Sequence, residues 1–232
     1  MKRLSILLAT LSIAFLPFTS YSQVDEDQTG AWYMYFWSTT FGDSQFGMQG
    51  DIQYRNWNIM GDLEQLLLRG GFTFQPKDTP IKFTLGYGNI TTGAFGDSQE
   101  TTSESRIYQE ALLSQKIGTR FNLRHRFRYE QRFVEGQDTR TRWRYAIFLD
   151  VPLNKPDTGK GAIYLALYNE LFINGEKDIG RGFTVQVFDR NRLYGGLGYS
   201  IDNRLKTQLG YMRQKTNAIG KNQLQVSLHH SF

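Results

Sequence analysis

Apolar and polar residues alternate one by one along most of this chain. The sharpest case is residues 119–133, TRFNLRHRFRYEQRF. Arg120, Arg124, Arg126, Arg128 and Arg132 take even positions, while Phe121, Leu123, Phe127, Tyr129 and Phe133 take odd ones. Side chains two apart point to roughly opposite sides of a helix but to the same face of a strand. The stretch is therefore a strand with one apolar and one basic face. The same period predicts strands at 46–54, 66–74, 81–88, 140–151 and along the C-terminal stretch ending at Phe232. Further strands are expected at 31–40, 105–117, 161–173, 190–201 and 204–214. Leu-Gly-Tyr occurs at 85–87, 197–199 and 209–211, each time with Gly on the polar face. Polar turns fall at 41–45, 75–80 and Asp202-Asn203, with longer connections at 92–104 and 174–182. No linker or shift in composition divides the chain, so one domain is expected.

The N-terminus stands apart. Lys2 and Arg3 precede the apolar run Leu4 to Phe18, and small residues follow at Ser20 and Ser22. This is the layout of a secretory signal peptide, cleaved before Gln23. Residues 1–22 are thus a leader and 23–232 the domain. Removal takes two cations and leaves a net charge of +3 from the full chain's +5. No later stretch is long and apolar enough for a transmembrane helix.

An exported chain of alternating strands could be a soluble sandwich or a membrane barrel. Two features favour the barrel. Aromatics sit toward strand ends on the apolar faces, as at Tyr54, Tyr87, Tyr129, Tyr199, Tyr211 and Phe232. The polar faces carry dense arginine beside small residues. An arginine turned to lipid costs about 2–4 kcal/mol at the bilayer midplane, so the even face of 119–133 must look into a lumen. His125 then faces lipid, a small misfit that an interfacial position or a local bulge would explain. The expected fold class is all-β, a transmembrane antiparallel up-and-down β-barrel of the outer membrane. Eleven candidate strands can be placed. Because bacterial barrels normally carry an even number, twelve are expected, with ten as the alternative and the regions 24–45 and 181–192 the places of doubt.

Several stretches together resemble one family. They are YRNWN at 54–58, LLLRGG at 66–71, LGYGN at 85–89, RIYQE at 106–110, RHRFRYEQRF at 124–133, RWRYAIFLDVPL at 142–153, YNELFIN at 168–174 and FDRNRLYGGLGY at 188–199, with the terminal Phe232. The pattern resembles the domain of unknown function 2490 family, whose Gram-negative members are expected to be outer-membrane β-barrels. The resemblance implies fold and location and supplies no catalytic residues. The terminal strand is similar to the signal read by the outer-membrane assembly machinery. Expected partners are therefore that machinery and the outer-membrane lipid and lipopolysaccharide.

Composition narrows the chemistry. Cysteine is absent, which excludes disulfides, thiolate metal sites and cysteine nucleophiles. Three histidines make a transition-metal site improbable, and no cofactor is expected. The weak basicity gives no case for nucleic acid. GGLGYS at 195–200 opens no helix and so binds no phosphate. Ser227, His229 and Ser231 share a face but lack an acid partner, and no enzyme is expected. The loop 92–104, with its hydroxyls and acids, could hold calcium or lipopolysaccharide; a mobile external loop is the simpler reading.

The candidate chemistry is in the lumen. Parity places Arg106, Arg120, Arg124, Arg126, Arg128, Arg132, Arg140, Arg142, Arg144 and Arg192 along a basic wall, joined by Arg69, Lys82, Lys116 and Lys206. Glu110, Glu130, Asp150 and Glu170 face the same interior. In one reading the wall lines a porin-like pore that favours small anionic solutes. In the other, Arg–Glu–Tyr contacts involving Tyr108, Tyr164 and Tyr168 fill a narrow, non-conducting structural barrel.

Overall fold

The structure is a computed structural model that describes residues 28–96 and 98–232. The expected leader and the acidic residues Asp25 to Asp27 lie outside them. The described residues form eleven strands: β1 (Gly30–Thr40), β2 (Phe46–Asn56), β3 (Leu63–Phe74), β4 (Ile81–Gly93), β5 (Thr101–Ile117), β6 (Phe121–Val134), β7 (Arg140–Pro152), β8 (Ile163–Asn174), β9 (Phe188–Ser200), β10 (Leu205–Lys215) and β11 (Gly220–Ser231). Each expected strand is present. Sequence neighbours pair antiparallel all the way round, and β1 closes on β11.

The closure corrects the expected count of twelve. β1 and β11 pair in parallel, in a register running from Gly30↔Gln223 to Ser38↔Ser231. Evenness is required only if every pair, the closing one included, is antiparallel. A parallel seam joins its backbone groups just as fully, so an odd number of strands leaves no open edge. Of the two doubtful regions, the described residues of one supply β1 and the other runs through irregular chain before β9 begins. The odd count also puts the two ends of the barrel chain on opposite rims. Connections 57–62, 94–100, 135–139, 175–187 and 216–219 share the rim where β1 begins. Those at 41–45, 75–80, 118–120, 153–162 and 201–204 share the C-terminal rim.

The faces are inverted relative to a water-soluble barrel. Phe72, Leu85, Tyr87, Phe127, Trp143, Leu193, Leu197, Leu209 and Tyr211 point outward and are exposed. His125 also points outward, with Nδ1 2.9 Å from the Tyr145 hydroxyl. Charged and amide side chains fill the inside. The apolar part of the interior is small: Trp32, Tyr164, Ala166, Tyr194 and Met212, with Met34 and Tyr168 packed against it. The shortest strands have 11 residues. At about 3.3 Å per residue and a tilt near 45°, such a strand rises about 25 Å, the height of an outer-membrane apolar band.

The repeated Leu-Gly-Tyr tripeptide has a packing cause. A Cβ on Gly86 would enter the ring of Tyr108, one on Gly198 the ring of Tyr164, and one on Gly210 the ring of Tyr194. Each glycine leaves a flat patch of wall on which an inward tyrosine lies, while its Leu and Tyr neighbours face out.

The parallel seam is directly testable. Tyr35 and Leu228 are register partners and both face outward. The double variant Tyr35→Cys/Leu228→Cys should form an intramolecular disulfide on oxidation, seen as an altered migration of the unfolded chain, because such paired positions lie within disulfide reach. Tyr35→Cys with Ser227→Cys, on opposite faces, should not. Failure of the first pair to link would contradict an eleven-strand closure.

Candidate functional site: the charged lumen

The alternation on β6 and β7 turns a row of guanidiniums inward, and antiparallel register sets carboxylates among them. Glu110 of β5 lies opposite Arg128, and Glu130 of β6 lies opposite Arg142. Glu170 of β8 sits one strand further on, opposite Arg192. The side chains then close into a lattice. Glu130, only 1% exposed, receives Arg142 at 2.6 Å and Arg144 at 2.5 Å. Glu170 receives Arg144 and Arg126, each at 2.6 Å. Glu110 receives Arg128 at 2.5 Å, with Arg126 3.8 Å away. Arg142 continues to Asp189 at 2.9 Å, and Asp189 to Arg190 at 3.1 Å. One unbroken chain of opposite charges therefore runs across the interior from β5 to β9. Nearby, Glu104 binds Arg106 and Arg132 through both oxygens, at 2.6–2.9 Å.

Aromatic rings occupy the space between the charges. Arg142, Arg144 and Arg192 approach the ring of Phe172 at 5.3, 4.5 and 4.7 Å. Arg55 and Arg192 lie over Trp32 at 3.7 and 4.7 Å. Arg128 lies over Tyr108 at 4.2 Å. A guanidinium is planar and weakly hydrated, so it can stack on a ring while its edge bonds a carboxylate. Lysine could not do both.

A family model described as a protein of unknown function, DUF2490, matches residues 29–225. The chain belongs to the DUF2490 family. No curated protein and no solved structure matches it. In this DUF2490 barrel the predicted wall residues separate into three groups. Arg106, Arg126, Arg128, Arg132, Arg142, Arg144 and Arg192 lie inside, and all seven take part in ion pairs. Arg124 pairs with Asp150 at 2.9 Å and keeps a partly exposed side chain, while Arg140 is half-buried with its Nε unbonded. Arg120 is misplaced by parity. It belongs to the turn 118–120 and is exposed, as is Lys116 near the end of β5. Alternation assigns a face only while the strand continues.

The acid partners Glu110, Glu130 and Glu170 are where parity put them. The tyrosines act differently from expectation. Tyr168 bonds Gln225, Tyr164 accepts from Gln208 at 3.1 Å, and Tyr108 carries Arg128 on its face. None of them bonds a glutamate among the described residues. Asp51, Glu104 and Asp189 were missed as partners. Glu104 and Asp189 sit near strand starts that the pattern had left in a loop and in a doubtful region. Asp51 was visible on the polar face of 46–54 and pairs with Arg69 at 2.9 Å.

The lattice does not fill the whole lumen. Toward the C-terminal rim a cavity of about 450 Å³ remains. Its floor includes Trp32, Glu170 and Arg192, and its mouth Asn203, Arg204 and Ser231. His229 lines it, stacked on Phe36 at 4.8 Å, with Nε2 2.9 Å from the Ser227 hydroxyl. No carboxylate bonds this histidine among the described residues, so the pair lacks the orienting acid of a hydrolytic triad.

Removing Glu130 takes a carboxylate from two buried arginines at once, leaving Arg142 only Asp189 and Arg144 only Glu170. Breaking a buried pair by deleting one partner costs about 3–5 kcal/mol. Glu130→Ala should therefore lower the urea midpoint of the refolded barrel strongly. An unchanged midpoint would mean that the charges are solvated independently.

Proposed function

We propose that this DUF2490 barrel spans the outer membrane as a non-conducting structural or binding scaffold rather than as an open pore. The observation that carries this reading is the buried charge chain from Glu110 through Arg126, Glu170, Arg144, Glu130 and Arg142 to Asp189. A selective pore needs charges that face a water path and release their ions. Here the guanidiniums are bonded to fixed carboxylates and stacked on rings. The arginine excess that favours an anion pore is real, but most of it is held inside this layer.

The membrane assignment rests on the outward apolar belt, the strand length and the inward charges. Closure supports it as well, since an open edge in hydrocarbon would leave backbone groups unbonded. The terminal strand turns Leu224, Val226, Leu228, His230 and Phe232 outward. The Phe232 amide donates to the Ser38 carbonyl at 2.9 Å and so locks the chain end into the seam. A C-terminal rim on the periplasmic side suits recognition by the assembly machinery. The connections 94–100 and 175–187 then lie outside, within reach of lipopolysaccharide.

Refolded protein in a planar bilayer should show no regular conductance steps. The variant Glu130→Ala/Arg142→Ala/Arg144→Ala removes the centre of the layer without leaving one charge alone, and it should conduct. Steady, anion-selective steps from the unaltered protein would overturn the closed-lumen reading in favour of the porin-like one. In that case Arg124, Arg126 and Arg128→Gln would reduce the selectivity.

A further inference from the structure

The cavity above the lattice has a composition that the lattice does not explain. Lys82 lies on its wall and makes no ion pair or hydrogen bond among the described residues. Arg126 leaves its buried Nε without an acceptor, and Arg128 leaves its buried Nη1 without one. Arg124 meets Asp150 through one nitrogen and remains partly exposed. Cationic donors in excess of acceptors thus converge on one cup, whereas the layer below is densely paired. Their placement is set by the sheet. Lys82 is opposite Leu112, and Leu112 is opposite Arg126. The two cations are therefore two strands apart, about 10 Å between backbones, a span that their long side chains can close on one anionic group. Beside them Phe148 lies within 5.3 Å of Arg124 and 5.1 Å of Arg126, and it continues into Tyr168 and Tyr194, the last two stacked at 4.8 Å.

We propose that the cup binds a small aromatic organic anion. Its phosphate or carboxylate sits among Lys82, Arg124 and Arg126, and its ring lies against Phe148 and Tyr168. The cavity volume falls within the range of small-molecule sites, which combine apolar walls with a few convergent polar groups. Bound this way, the anion supplies acceptors for the Lys82 ammonium and for the part of the Arg124 guanidinium that Asp150 leaves open. The ligand enters from the C-terminal rim. The proposal rests on the closed-lumen reading, because a closed floor makes the cavity a cup and not a passage.

Phenyl phosphate, inorganic phosphate and phenol can be titrated by calorimetry into the refolded full barrel domain in detergent. Phenyl phosphate should bind saturably with one site, and both fragments much more weakly. Lys82→Met should weaken it about tenfold or more, the loss expected for one charge-assisted contact. That variant breaks no ion pair, and an unchanged heat-modifiable gel shift would show that it folds. Arg124→Gln should weaken binding in the same direction. No saturable binding of phenyl phosphate, equal binding of inorganic phosphate, or full affinity in both variants would overturn the proposal. Binding by a protein that also conducts would leave the site standing and remove the closed floor. No binding by a protein that does not conduct would do the reverse.

Discussion

A guanidinium buried in a space this narrow needs acceptors, and that constraint organises the barrel. Strand alternation turns the guanidiniums of β6 and β7 inward, away from the apolar outer face. Once inside, they are shut off from bulk water and need acceptors. Glu130, Glu170, Glu110 and Glu104 meet that need by each taking more than one guanidinium. Burying such groups costs several kcal/mol per ion, and good geometry only offsets it. The lattice is therefore better read as a device that fixes one arrangement of the lumen than as a store of stability. In the proposed reading the same low-dielectric layer closes the barrel to solutes.

Shape and charge are solved by the same residues. Phe172 and Trp32 separate arginines that would otherwise repel, and each presents a ring face to them. Tyrosines fit inside only because glycines opposite them carry no Cβ. Where this packing stops, toward the C-terminal rim, the lumen widens into a cup with cations to spare. Closed layer and open cup are two parts of one interior, distinguished by how fully carboxylates match the cations beside them.

Much of this was legible in the sequence. A two-residue period is a local signal, so every strand and the inward face of most wall residues could be read directly. Arg126, Arg128, Arg142 and Arg144 and their partners Glu130 and Glu170 follow from parity alone. What was not legible depends on distant pairing or on strand ends. The parallel seam joins the first strand to the last, and no local pattern announces its direction, so the strand count was set one too high. Arg120 was given a face although its strand had not yet begun, while Glu104 and Asp189 were denied one although theirs had. Parity also cannot tell a guanidinium that lines water from one that is bonded to a carboxylate across the lumen. That distinction separates a pore from a closed barrel, and only the register supplies it.

The most direct test of the central claim is side-chain hydrogen exchange, followed by NMR on the refolded barrel labelled with nitrogen-15 arginine. The Nε–H of Arg128, Arg142 and Arg144 each donate to a buried carboxylate, at 2.7, 3.0 and 2.9 Å. These three signals should persist in deuterated buffer long after those of the exposed Arg120 and Arg181 have vanished. Exchange of all five at one fast rate would mean that water reaches the arginine wall, and the closed lattice would not exist.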